Sequence, residues 1–262
     1  HSVVIALCGN SHFMSGKPTP YHCSRQGLMH TLGSRHGMPS KPFDSVEEHL
    51  EAIMDEQYLW TKNDATGMID VVNDRTFSSW AESKLMAEDG SSAMNNSKNK
   101  SIYSDIQITG EMSPDYEYEA FLLHDHYVWH SARPRSKQGT VECRAACQQP
   151  WNEHMSAAAL NLGIVEGYRE IWELVLSKFG SRQAAWDAMD AATPYAERYG
   201  LKSSDIAGLE ADFLLDILGA CERALEGRGR GEEILMKPLY QRLERGENPA
   251  ALAASVANEG GM

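Results

Sequence analysis

Ala132–Trp151 reads ARPRSKQGTVECRAACQQPW, and the rest of the chain takes its meaning from it. The stretch gathers Arg133, Arg135, Arg144 and one carboxylate, Glu142, into a short extended segment that leads into helical sequence beginning near His154. Across Thr140-Val141-Glu142-Cys143-Arg144 the strand period of two puts Thr140, Glu142 and Arg144 on one face and Val141 and Cys143 on the other. Glu142 and Arg144 therefore point the same way. A solvated strand face on which a Glu and an Arg partly neutralise each other is the ordinary reading of such a pattern. The sharper reading is an anion and metal site, with a carboxylate for a divalent cation and guanidinium groups for phosphate oxygens.

The whole chain narrows the choice. Its 262 residues suffice for a sizeable core, in one large domain or two small ones. A net charge of −13 argues against a nucleic-acid partner, which the average surface would repel. The acidity is uneven, because residues 1–45 carry Lys17, Arg25, Arg35 and Lys41, five histidines and a single acid, Asp44. A locally cationic segment in an acidic protein favours a small anionic ligand. Cys8, Cys23, Cys143, Cys147 and Cys221 form no CxxC pair, so reduced thiols in a cytoplasm are expected, with Cys143 and Cys147 read as core thiols. No apolar run reaches the roughly 18 residues that span a bilayer, and no signal peptide is expected. The chain opens at His1 and runs at once into apolar sequence, as the interior of a longer protein would.

In order, Val3–Leu7 is expected to be a strand, and Cys8–Pro42 an ordered functional loop with one short helix near Arg25–Leu32. Ser45-Val46-Glu47-Glu48 resembles a capping box opening a helix over residues 46–59. Met68–Val72 reads as a strand, and Thr76 as the N-cap of a short helix with Phe77, Trp80 and Leu85 inside. Residues 87–100 are polar and low in complexity, a candidate exposed or disordered loop. Ile102–Thr109 and Glu119–His130 are strand candidates. His124 and His126 alternate on the second, but a lone HxH without a third ligand is a weak zinc signal, and structural or substrate-orienting roles fit better. Leu160 to Phe179 repeats apolar residues at helical spacing, giving one long helix over residues 154–179 that ends at Gly180. Further helices are expected over Ser181–Ala192, stopped before Pro194, over Ile206–Leu225, and over Lys237–Arg245 with Pro238 in its first turn. Gly227–Gly231, GRGRG, follows no strand and reads as a flexible basic turn.

Three stretches together resemble the GCS2 family of glutamate-cysteine ligases and related carboxylate-amine ligases, whose fold is shared with glutamine synthetase. Ala6-Leu7-Cys8-Gly9-Asn10-Ser11-His12-Phe13, with Gly16 and then Arg25, is similar to the family's A-L-S-A-N-S-P-F-x-x-G loop and its following arginine. Thr76-Phe77 and Trp80 resemble a T-F-x-x-W-like element. Arg133-Pro134-Arg135 and Thr140–Arg144 resemble the R-P-x and T-x-E-x-R strands, followed by Gln149-Pro150 and an Ala-rich helix. Cys8 and Gly9 stand where the pattern has Ser-Ala, and His12 where it has Pro, which bears on donor or acceptor specificity more than on fold. The resemblance covers the family's C-terminal portion; the upstream strands with further metal-binding acids are missing from it.

The resemblance implies an α+β fold: a curved antiparallel sheet region with its substrate loop over residues 1–151, and a helical region packed on it over residues 152–262. It implies ATP-dependent ligation, in which the side-chain carboxylate of glutamate is phosphorylated and a small amine such as cysteine attacks the acyl phosphate. ATP and Mg2+ are the implied cofactors. By family position Glu142 is a magnesium ligand and catalytic, Arg144 a catalytic ligand of phosphate or glutamate, and Arg133 and Arg135 contacts to the ATP phosphates. Asn10, Ser11 and Arg25 line the amino-acid pocket, although a plain turn role suits Asn10 and Ser11 equally. A reading of another class stays open, a non-catalytic or half-site chain completed by a partner that brings the missing acidic strands. Neither a nucleic acid nor a membrane is an expected partner.

Overall fold

The computed structural model describes residues 1–29, 31, 36–39, 41–62, 69–72, 74–89, 114–135 and 138–259. The helices, in chain order, begin with α1 (Ser2–Cys8), α2 (Ser24–Met29), α3 (Val46–Met54), α4 (Phe77–Asp89) and α5 (Pro114–His126). They continue with α6 (Ser156–Glu166), α7 (Tyr168–Phe179), α8 (Arg182–Tyr199), α9 (Ala211–Arg228), α10 (Lys237–Arg245) and α11 (Pro249–Glu259). Strands occur in two-stranded sheets, among them the antiparallel pairs Phe13–Met14 with Lys17–Pro18, Trp60–Lys62 with Ile69–Val71, and Ala132–Arg135 with Thr140–Cys143. The fold is a helix-rich α+β mixture. None of the described helices is long and apolar enough to cross a membrane.

Two compact units make up the chain, His1–Pro42 with His130–Met262, and Phe43–Trp129. The boundary expected after residue 151 falls inside the first of these. Its core is built on α1, which is a helix where a strand was expected. Val4, Ile5, Ala6, Leu7 and Cys8 are all 4% exposed or less, so α1 is buried all round. A short run of apolar residues buried on every side carries no periodicity, and packing against α8 decides its form. α6 lies along α9, where Gly163 leaves room for Cys221 and Gly167 for Ala220. Gly167 also breaks the expected single helix of residues 154–179 into α6 and α7. α7 ends at Gly180 in the left-handed region, φ 79°, as a glycine C-cap requires.

α8 corrects a second boundary. It runs through Pro194 to Tyr199, where the proline was expected to stop it after Ala192. Ala192, Thr193 and Ala196 are buried on its inner side, and that packing outweighs the single backbone donor the proline lacks. α10 has its expected bounds, with proline in its first turn. α11 was not anticipated, although its start is signalled: Asn248 Oδ1 accepts the Ala251 N–H, and Pro249 occupies the first helical position.

The second unit is small. Tyr58, Phe77, Trp80 and Ala120 form its core, with Met54, Val72 and Phe121 against them. Ser45 caps α3 by accepting the Glu48 N–H, and Glu48 reaches back to the Asp44 N–H, so the box closes one residue earlier than its sequence suggests. α3 ends at Met54, short of residue 59. Thr76 Oγ1 accepts the Ser79 N–H and caps α4. The expected strand Glu119–His130 is instead α5 followed by a two-residue strand, Trp129–His130. Ala120, Leu123 and His124 are buried at helical spacing, which the alternating histidines concealed. His124 stacks on Phe77 with ring centroids 4.9 Å apart, and its Nε2–H donates to Ile53 O at 2.7 Å. This histidine is a core residue, and the helix sets His126 on a different side from it. The candidate strand Ile102–Thr109 and the polar stretch 90–100 lie outside the described residues.

Candidate active site

The hairpin that carries the arginines belongs to the first unit. Gln138 and Gly139 donate their N–H groups to Arg135 O at 3.0 and 2.9 Å, and Gly139, at φ 62°, makes the turn. The antiparallel register sets Arg133 directly opposite Glu142 and Arg135 opposite Thr140. With the strand period of two, Arg133, Arg135, Glu142 and Arg144 share one face.

All three guanidinium groups converge on Glu142. Arg133 donates to Oε2 through Nε at 3.2 Å and Nη2 at 3.0 Å, and Arg135 Nη1 donates to the same oxygen at 3.1 Å. Arg144 Nη1 donates to Oε1. The side chain of Arg133 is only 2% exposed, against 19% for Arg135, 20% for Arg144 and 32% for Glu142. The charged face is therefore the inner one. Val141 and Cys143 face solvent, which corrects the reading of Cys143 as a core thiol, while Cys147 is buried.

Burial pushes the Glu142 carboxyl upward, but the hydrogen bonds and charges of Arg133 and then Arg144 overcome it and hold the group at about 2. Among the described residues, three guanidinium groups share the one carboxylate of Glu142. Such a cluster suits an anion with several oxygens, and the half-buried Arg135 and Arg144 are the members an anion reaches. Magnesium fits these residues poorly. A cation held mainly by oxygen ligands would meet one carboxylate already bonded to three guanidinium groups, and the described residues hold no group of three or more His, Cys, Asp or Glu side chains able to bind a metal.

The other anticipated residues lie against the segment that leaves the hairpin. Arg25 Nη1 donates to Arg144 O at 2.6 Å, and Gln26 Nε2 to the same carbonyl at 3.0 Å. Asn10 Nδ2 donates to Gln148 O at 2.9 Å. Ser11 Oγ accepts the Arg25 N–H at 3.3 Å and lies 3.5 Å from Cys147 Sγ. All seven anticipated residues thus belong to one connected patch. Asn10 and Ser11 both bond backbone groups, and Ser11 does so at Arg25 itself.

Gln26 and Arg242 of this patch were not singled out, and Gln149 was quoted only as part of the resemblance, with no role. Gln26 follows Arg25 on α2 and looks like an ordinary helix residue. Gln149 donates to Cys8 O and Cys147 O at 2.9 and 2.8 Å. Arg242, 1% exposed, donates to Leu7 O at 3.1 Å, to Gln149 Oε1 at 2.7 Å and to Glu153 Oε2 at 2.6 Å, tying α1 to the segment after the hairpin. No local pattern marks Arg242, because its partners are up to 235 residues away.

Comparison with curated proteins found no match. The model of one family, described as glutamate-cysteine ligase family 2, matches residues 1–261, and with nearly every residue inside that match the chain belongs to GCS2.

Proposed function

We propose that this chain is an ATP-dependent ligase that joins the side-chain carboxylate of glutamate to an amine through an acyl phosphate, with cysteine the favoured acceptor. Membership of GCS2 implies carboxylate-amine ligation in general; the convergence of Arg133, Arg135 and Arg144 on Glu142 is the observation that carries the finer reading. Phosphoryl transfer spreads negative charge over peripheral oxygens, and preorganised guanidinium groups stabilise that charge without reorganising. Arg135 and Arg144 take the ligand side of this work. Arg133, sealed from solvent, acts through Glu142, whose carboxylate fixes the fork of each arginine. Asn10, Ser11 and Arg25 border the amino-acid pocket, and the curved sheet of the glutamine synthetase-like fold is the frame in which the hairpin would sit. Glu142, already held by three guanidinium groups, is a poor magnesium ligand, so in this reading the guanidinium groups of the patch carry the charge neutralisation.

The test is phosphate release from ATP with glutamate and a panel of amines. Turnover that requires both glutamate and an amine supports the reading. Arg144→Ala is expected to lose phosphoryl transfer even at saturating ATP while keeping its melting temperature. Normal specific activity with a lowered melting temperature would make Arg144 structural. A second reading, the half-site chain, is favoured by the three arginines that share one carboxylate among the described residues. It requires that the chain alone releases no phosphate and that a polypeptide carrying the acidic strands restores release.

A further inference from the structure

Cys23 and Cys147 come from distant parts of the chain, 124 residues apart, yet their sulfur atoms lie 3.2 Å from each other. Cys23 is fully buried at the start of the segment that becomes α2, and Cys147 is 8% exposed in the segment leaving the hairpin. Ser11 bridges the two regions, since it pairs with Cys23 in an isolated β-bridge and sets its hydroxyl 3.5 Å from Cys147 Sγ. Neither thiol has a part in the ligation chemistry proposed above.

We propose that Cys23 and Cys147 are an oxidisable dithiol, converted by a small hydroperoxide to a reversible disulfide, with Cys147 the attacking and Cys23 the resolving thiol. The division of roles follows from the difference in burial, because Cys147 keeps 8% exposure and Cys23 none. It also follows from charge. The hydrogen bond from Cys23 holds the Cys147 thiol below its ordinary range despite burial, helped by the Asn10 N–H, the Ser11 hydroxyl and Arg25, while the same pairing and burial push Cys23 up. In the first step the Cys147 sulfur attacks the terminal peroxide oxygen, the O–O bond breaks, and an alcohol or water leaves as Cys147 becomes a sulfenic acid. Cys23 sulfur then attacks that sulfur, the S–O bond breaks, and water leaves with the Cys23 proton. Two thiols lose two electrons, and the hydroperoxide is reduced by two. The sulfur atoms need to close from 3.2 Å to about 2.0 Å, a movement on the scale of side-chain rotation. The bond would lock the loop carrying Ser11 and Arg25 onto the segment whose carbonyls Arg25 and Asn10 hold.

Treatment of the folded chain with stoichiometric hydrogen peroxide, followed by alkylation, proteolysis and mass spectrometry, tests this. The expected result is a Cys23–Cys147 cross-linked peptide that dithiothreitol removes. Cys23→Ser should instead accumulate a dimedone adduct on Cys147, and Cys147→Ser should give neither product. Exposed Cys143 reports that the oxidant is active. Oxidation of Cys143 without the cross-link in the native chain overturns the proposal, and so does dimedone labelling of Cys23 in place of Cys147. Circular dichroism of each serine variant shows whether it is folded; should one not be, the native-chain cross-link decides alone.

Discussion

Glu142 accepts hydrogen bonds from three arginines while Arg133 is removed from water, so the carboxylate serves stability as well as any ligand. Breaking such a pair leaves a buried charge without its partner, whereas an exposed pair is worth little. Since Glu142 is about a third exposed, the cost of Glu142→Gln lies between those limits, about 1–2 kcal/mol, read by urea denaturation. The same substitution should abolish ligation, and unchanged turnover would remove Glu142 from the site. The stabilisation also depends on pH. The carboxyl titrates at 4.5 when unperturbed and at about 2 when folded, so the unfolded chain binds the proton first as pH falls. The stability difference between the native chain and Glu142→Gln should be complete above pH 4.5 and fade between 4.5 and 2. A difference that stays constant through that window would mean the carboxylate is not held by the arginines. The shared face of Glu142 and Arg144 was legible from strand alternation alone. Its inward orientation was not, because alternation separates two faces without saying which one is buried, and Val141 and Cys143 looked the more natural inner pair.

At the level of elements, two glycines with the same helix propensity should respond in opposite ways to alanine. A Cβ on Gly163 of α6 would lie 2.6 Å from Cys221 Cβ on α9, an atom fixed to the backbone. Overpacking wins over propensity there, and Gly163→Ala is expected to lose about 1–3 kcal/mol. Gly227, near the end of α9, has nothing within 4 Å of such a Cβ, and Gly227→Ala should gain about 0.5–1 kcal/mol. Thermal unfolding of the two variants checks both signs. Asn248 caps α11 and also donates to Ala6 O at 3.0 Å, so Asn248→Ala should cost about 2–3 kcal/mol, the sum of a lost cap and a stranded carbonyl. The elements misread from sequence share one cause. α1 is buried all round, α5 ends on two histidines set two positions apart, and α8 contains a proline; in each case contacts made elsewhere in the chain outweigh the local signal. The Asn248-Pro249 start of α11 was the exception, a local signal that was present and went unread.

For the molecule as a whole, a net charge of −13 surrounds a cationic patch, which makes binding of small anions local and sensitive to salt. Binding of a nucleoside triphosphate, measured calorimetrically, should weaken several-fold between about 0.05 and 0.3 M potassium chloride, while duplex DNA should show no mobility shift. Tight DNA binding would contradict the charge argument, and salt-independent triphosphate binding would point away from the arginines. Composition, the order of the arginine and glutamate strands, and the helical periodicity of the C-terminal half were determined by sequence itself, because each depends on neighbours within a few positions. The tertiary structure decided that α1 is a helix, that the charged hairpin face is the inner one, and that Arg242, Gln149, Cys23 and Cys147 join the patch. Those outcomes depend on contacts between residues on the order of a hundred or more positions apart, and burial, which arises only when the chain closes on itself, settles them.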